Sequence, residues 1–459
     1  MRIALAGTIL ALLVLPTVAL CDSPDPGRKK AESLRARWLE EAKREDDSCT
    51  RSPTRRCLYL RARVIAINSA ISDNFLAFMC IELTRQRAFL GAAETARGIL
   101  RPGLRAGQLI RTADAQAAAG QTKEAASLIG DALPMVDSVD NPLDRVNSLS
   151  SAAVVFSKLQ DRKRAQEFFG QALQILGTVL GPTATTDMFL RFIAVREVEA
   201  GFDDQAQALL SRLSEDSLSG ALGSIAEMRA RQGNVAAARA ALQQMKRDPP
   251  VAVSFLVAAD NVATALANRD EISDAIGIRD LLKEFWKDNW EDVDDLTWRI
   301  AQAAADKGHI DQAMELAGSI TNRAHLAQAL VAIGRAQARA GNRELAAFTF
   351  RDAADYVKGR LGVAVDYVTT GRLAIDILTD IAIAEAKAGF RSEASAHLEA
   401  VLATIDAPPI QIPDESIGHL AAGFTAIGKY APAFALYDRI SDDIQRVRAL
   451  EMMAEQLDN

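Results

Sequence analysis

AQAAADKGHIDQAMELAGSI, residues 301–320, is a helix of small residues that runs into a glycine and leaves it as a second helix. Gly308 is the punctuation. A left-handed backbone ends a helix there at least cost, because glycine has no Cβ to clash. Ala301 lies seven residues before it and Ala313 five after. Both positions fall where two helices of a hairpin cross, and small side chains there let the backbones approach.

Working outward, the pattern recurs with Gly120, Gln160, Gly201, Gly233, Asp270, Gly308, Gly341, Gly389 and Gly428 at the turn. Five residues after each stands alanine, nine times in nine: Ala125, Ala165, Ala206, Ala238, Ala275, Ala313, Ala346, Ala394 and Ala433. Seven before each stand Ala113, Ala153, Ala194, Ala226, Ala263, Ala301, Gly334, Ala382 and Ala421. Alanine makes up 84 of 459 residues, too few for composition to produce this. Nine residues past the turn the side chains are mostly larger and apolar, as at Ile129, Phe169, Leu210, Phe350 and Leu398. A single hairpin cannot bury its own apolar face, so neighbours must stack. Only 5% of residues are aromatic, against 49% hydrophobic, which suits a thin, alanine-rich helical core.

The small residue of the first helix, the turn glycine and the alanine of the second resemble the tetratricopeptide repeat, most closely at Ala301, Gly308, Ala313 and at Ala226, Gly233, Ala238. The resemblance covers about residues 104–440. It implies an all-α, right-handed superhelical solenoid of stacked antiparallel hairpins that binds a protein or peptide partner. The turn-to-turn spacings, however, run 40, 41, 32, 37, 38, 33, 48 and 39, where the family keeps about 34, and the family's first-helix tryptophan is largely absent. If the family geometry holds, the concave surface carries Asp114, Arg191, Glu227, Arg231, Asp260, Trp298, Gln302, Arg335 and Arg339.

Outside the repeats, MRIALAGTILALLVLPTVALC (residues 1–21) has one Arg, an apolar run, a proline and small residues, the pattern of a secretory signal peptide cleaved after Ala19 or Cys21. An uncleaved membrane anchor or a lipidated Cys21 are the alternatives, and export to the periplasm or beyond is common to all three. Residues 22–57 read as a flexible, basic, proline-containing arm with a short helix around Leu34, Trp38 and Leu39. Residues 58–103 read as N-terminal helical pairs without a clear register, and residues 441–459 as a capping helix. Cys49 and Cys57 could close a small disulfide loop in an oxidising compartment, with Cys57–Cys80 or Cys49–Cys80 as rivals. The stretch DYVKGRLGVAVDYVTTGRL (residues 355–373) is either a long inter-repeat loop or a pair of extended helix ends.

Chemistry is not signalled. Phosphate loops, zinc-protease motifs, nucleophile elbows and cofactor fingerprints are lacking, and His309, His325, His397 and His419 are scattered. No cofactor or metal is expected. A net charge of −7 argues against nucleic acid as a general partner. The most unusual composition is KEFWKDNWEDVDDLTW (residues 283–298), where Trp286, Trp290 and Trp298 sit among acids. These aromatics either anchor a basic peptide or fill a wide joint between repeats. The expectation is an exported scaffold for protein assembly in the cell envelope, with no catalysis of its own. The alternative is a helical-repeat enzyme or enzyme-associated subunit acting on envelope polymer.

Overall fold

The computed structural model describes residues 26–69, 71–139, 141–179, 184–245, 252–285, 290–359, 372–406 and 412–457. All regular structure among the described residues is α-helical. Every turn residue named above has a positive φ, from 66° at Gln160 to 90° at Gly308. The next residue donates its amide back across the helix end, as from His309 to the Ala304 carbonyl (2.9 Å) and from Phe390 to that of Glu385 (2.8 Å). These bonds satisfy carbonyls that the helix end would otherwise leave open. The nine alanines after the turns and the eight before them are fully buried. The ninth small residue, Gly334, lies under Phe350, the large residue nine past its own turn. A Cβ on Gly334 would come within 2.6 Å of that ring.

The chain divides into two compact units, one holding residues up to Arg44 together with Arg63–Val179, the other holding Glu45–Ala62 together with Leu180–Asn459. The first unit contains the hairpins α3 (Ser72–Arg85) with α4 (Phe89–Arg97), α5 (Pro102–Ala118) with α6 (Thr122–Val136), and α7 (Pro142–Lys158) with α8 (Arg162–Val179). In the second unit α9 (Ala184–Glu199) pairs with α10 (Asp203–Leu210), α11 (Glu215–Arg231) with α12 (Val235–Gln244), and α13 (Ala252–Asn268) with α14 (Ile272–Phe285). There follow α15 (Trp290–Asp306) with α16 (Ile310–Gly318), α17 (Arg323–Arg339) with α18 (Arg343–Lys358), and α19 (Arg372–Lys387) with α20 (Arg391–Ile405). The unit closes with α21 (Asp414–Ala426), α22 (Tyr430–Tyr437) and α23 (Asp443–Glu455). Within each unit, a first helix packs on its own second helix and on the next first helix.

The α3–α4 hairpin is a tenth copy of the device, in the stretch whose register was not evident. Arg87 turns with φ 60°, Ala88 donates to the Leu83 carbonyl at 2.8 Å, Ala92 stands five residues on, and Cys80 takes the small position seven before. Cys80 is fully buried, with Sγ 3.5 Å from the Ala92 carbonyl. A thiol is small enough for the crossing.

With Arg87 included, the uneven spacing becomes regular. Turn-to-turn distances run 33, 40, 41, then 32, 37, 38, then 33, 48, 39, a period of three hairpins. The first hairpin of each period has a second helix of only 8 or 9 residues: α4, α10, α16 and, in an incomplete fourth period, α22. Each also has an aspartate fourteen residues before its turn whose carboxylate receives the backbone amides that open the next first helix. Asp73 accepts from Leu100 and Arg101 at 2.9 and 2.8 Å, and Asp187 accepts from Ser214 at 3.1 Å. Asp294 accepts from Thr321 and Asn322 at 3.0 and 2.7 Å, and Asp414 from Ser441 and Asp442, both at 2.9 Å. The carboxylate thus substitutes for the missing last turns of the short helix.

Residues 22–57 were expected to form a flexible arm with a short helix. From Pro26 to Arg51 they form one 26-residue helix, α1, followed by α2 (Arg55–Asn68). In the first unit the reason is Trp38, only 1% exposed. Its ring rests on Gly98, where a Cβ would collide, and the Arg63 guanidinium lies 4.9 Å from the ring centroid. Arg35 Nε adds a bond to the Gly98 carbonyl at 2.7 Å. In the second unit, Cys49 and Cys57 are joined as a disulfide, so Cys80 of the first unit is not part of that bridge. Arg55 Nε donates to the carbonyls of Ala454 and Leu457 at 3.1 and 2.9 Å, and the Arg61 guanidinium lies 5.2 Å from the Phe434 ring centroid. Residues 45–62 are therefore seated on the last helices of the chain.

Residues 1–21, expected to be a signal peptide, Pro249–Pro250, Pro408–Pro409 and residues 360–371 of the long insertion lie outside the described residues. No helix among the described residues is long and apolar enough to cross a membrane.

Candidate functional site

The expected partner-binding residues other than Trp286 sit on the first helices, and most of them engage a neighbouring first helix or the next turn of their own. Arg231 Nη2 donates to Glu227 at 2.6 Å, and Asn261 Nδ2 donates to the same carboxylate at 3.1 Å. Asp260 accepts two bonds from Arg299, at 2.5 and 3.0 Å. Arg335 and Arg339 converge on Asp306 at 3.8 and 3.0 Å. In the first unit Asp114 likewise accepts from Lys158 at 2.7 Å. Arg191 packs over Gly220, where a Cβ would come within 2.5 Å of its Nη1. Gln302 is half-buried on α15. These contacts form a ladder of opposite charges running from helix to helix. Opposite charges are thereby joined at Arg231 with Glu227, Asp260 with Arg299, Asp114 with Lys158, and Asp306 with Arg335 and Arg339.

Trp298 donates to Asp295 at 3.0 Å and stacks on His325 with centroids 6.3 Å apart, so it bridges α15 and α17. Trp286 lies outside the described residues, and of Trp290 only the backbone, opening α15, is described.

Two titratable groups stand out on the first helices. Glu197, 2% exposed on α9, is pushed up to about 7 by burial. His419 on α21 lies 3.1 Å from Asp380 and 3.7 Å from Asp376, both on α19. Burial works against its charge, yet the two carboxylates prevail and push it up to about 10. Among the described residues no group of three or more His, Cys, Asp or Glu is placed to hold a metal.

A cleft of about 910 Å³ lies in the first unit, between α1, the end of α4, and helices α5 and α6. Leu34, Leu109, Pro134 and Met135 are among its lining residues. Five cations line it, Lys29, Lys30, Arg37, Arg97 and Arg105, against one carboxylate, Asp131. Arg97 is paired with Asp131 at 2.8 Å and Arg37 with Glu94 at 3.0 Å. Arg105 is 3% exposed, with its guanidinium under the backbone of Gly27, where a Cβ would come within 2.8 Å of it. Lys29 and Lys30 are exposed on α1. The basic excess of residues 22–57 was visible in the sequence. Its convergence with Arg97 and Arg105 was not, because these come from two further helices some 60–75 positions away.

No family model and no curated protein matches the chain. Among solved structures it is similar to Ton1535 from Thermococcus onnurineus NA1, at 12% identity and a TM-score of 0.28, over 82% of this chain and 98% of that one. It is also similar to a circular tandem repeat protein with novel repeat topology and enhanced subunit contact surfaces, at 13% identity and a TM-score of 0.19, over 93% and 96%.

Proposed function

We propose that this helical-repeat protein is an exported scaffold that holds a protein partner in the cell envelope and performs no chemistry of its own. The observation that carries the proposal is the hairpin closure. Ten turns of the same hand, each with buried small residues at its crossing, give surfaces whose conformation is set before any partner arrives. A preformed surface loses little conformational entropy on binding. The Cys49–Cys57 disulfide supports an oxidising compartment, and the tetratricopeptide resemblance supports a protein as the ligand.

The test is crosslinking of the full-length protein in the intact envelope, followed by mass spectrometry and by assay of the purified protein on cell-wall glycan. One reproducible partner protein without glycan turnover is expected. Glycan turnover with no protein partner would overturn the proposal in favour of an envelope-polymer enzyme.

A further inference from the structure

We infer that a shallow trough across the first helices α9, α11 and α13 binds a peptide segment in which one carboxylate side chain stands between apolar ones; this rests on the reading of the chain as a protein-binding scaffold. Met188, Gly220 and Val257 each stand thirteen residues before their turn and so form one row across the three helices. Phe192, Ser224 and Asn261, nine before, form the next. The outer helices put apolar side chains in these rows, since Met188 and Val257 are exposed and Phe192 is half-buried. Between them α11 offers only a glycine and a serine, so the surface is low in the middle.

The middle holds a cation. Arg191 reaches from α9 over Gly220, where a Cβ would come within 2.5 Å of its Nη1. A mid-helix glycine weakens a helix, and here it makes the seat for the guanidinium. Of the arginines expected to meet a partner, Arg231, Arg335 and Arg339 are each paired with a carboxylate. Arg191 has neither an ion pair nor a hydrogen-bond partner among the described residues. The Glu227 carboxylate, three residues on from Ser224, is taken up by Arg231 and Asn261.

The position of the charge selects the ligand. An unpaired guanidinium beside apolar surface favours a carboxylate, which its planar fork can hold by two hydrogen bonds. A fatty acid or other one-headed amphiphile, held by its carboxylate at Arg191, could lay its chain along one apolar wall only and would leave the other in water. A peptide with apolar residues on both sides of one Glu covers both walls. Packed helices lie about 8–10 Å apart, so α9 and α13 stand about 16–20 Å apart across α11. That is the reach of about five or six extended residues.

The experiment titrates the full-length protein with a dansyl-labelled, C-terminally amidated peptide of one Glu between two Leu pairs, so that the Glu side chain is its only carboxylate. The same peptide with Gln for Glu, and dodecanoate as a competitor, serve as the other arms. The Glu peptide is expected to bind at least about fivefold more tightly than the Gln peptide, an advantage that shrinks as salt rises. Arg191→Gln should erase that advantage, and Met188→Ser with Val257→Ser should weaken both peptides about tenfold. Met188 and Val257 are exposed, and circular dichroism checks that the variants fold.

Equal binding of the two peptides by the wild-type protein, an advantage of Glu that survives Arg191→Gln, or affinity unchanged by Met188→Ser with Val257→Ser would each overturn the inference. So would displacement of the peptide by dodecanoate as readily as by its own unlabelled form. Envelope crosslinking with the protein carrying all three substitutions separates this inference from the scaffold reading. Loss of the partner supports the trough. An undiminished partner overturns the trough and leaves the scaffold standing, whereas no partner even for the wild-type protein removes the scaffold and the trough with it.

Discussion

Phe350 and Gly334 divide one volume between them: the ring fills the crossing, and the glycine gives it room. Gly334→Ala should therefore destabilise the protein by about 1–3 kcal/mol despite the better helix propensity of alanine. Phe350→Leu added to it should recover part of the loss, and thermal unfolding of the single and double variants checks both. Glu197 works in the opposite direction to most carboxylates. Its value in the folded protein, about 7, lies above the ordinary 4.5, so keeping it folded costs nothing at low pH. The cost grows as pH rises from about 4.5 to about 7 and is constant above that. Glu197→Gln should raise the midpoint of thermal unfolding at pH 8 and leave it unchanged near pH 4. His419 is raised instead by its two aspartates. Its contribution is complete below about 6.5 and is lost as pH climbs through about 10, so the stability gap between wild type and His419→Leu should close in alkali.

Among the elements, the short second helices depend on their aspartates. Asp294 is buried and receives two amides and the Thr321 hydroxyl, the last at 2.6 Å. Asp294→Ala would orphan these donors and should cost about 1–3 kcal/mol, measurable by denaturant unfolding. At Asp414 burial raises the carboxyl, but the amides of Asp442 and Ser441 and the Ser441 hydroxyl outweigh it and hold it below the ordinary value. The attachment of α23 should thus be intact above about pH 4 and weaken as pH falls through the lowered value, with faster hydrogen exchange over Asp443–Glu455 as the readout. Hairpin closure was legible in the sequence because few residue types tolerate a left-handed turn or a helix crossing. Where other types take those roles, as Arg87 and Cys80 do, the same geometry was hidden. The aspartate clips were hidden too, since one carboxylate among sixty acidic residues gives no local signal. Helix α1 was underestimated because its partners, Gly98 and Arg63, lie far along the chain, and the three-hairpin period emerges only after the tenth turn is counted.

At the scale of the molecule, residues 45–62 belong with helices some four hundred positions later. The disulfide that ties Cys49 to Cys57 spans a separation of 8 residues. Loop-closure entropy for so small a ring is worth roughly 2–3 kcal/mol. Cys49→Ser with Cys57→Ser should therefore loosen α22 and α23 as well as their own loop, visible as faster hydrogen exchange at both. The bonds from Arg55 to Ala454 and Leu457 also set a clock. A ribosome adds about 5–20 residues per second, so Arg55 leaves it roughly 20–80 s before its acceptor carbonyls exist. During that interval every intermediate hairpin can close on its neighbour, whereas the segment around Arg55 waits with its docking side uncovered. The last step of maturation is then the meeting of the earliest and latest parts of the second unit, and a chain interrupted before α23 would be marked by that vacant segment for proteolysis or chaperone capture.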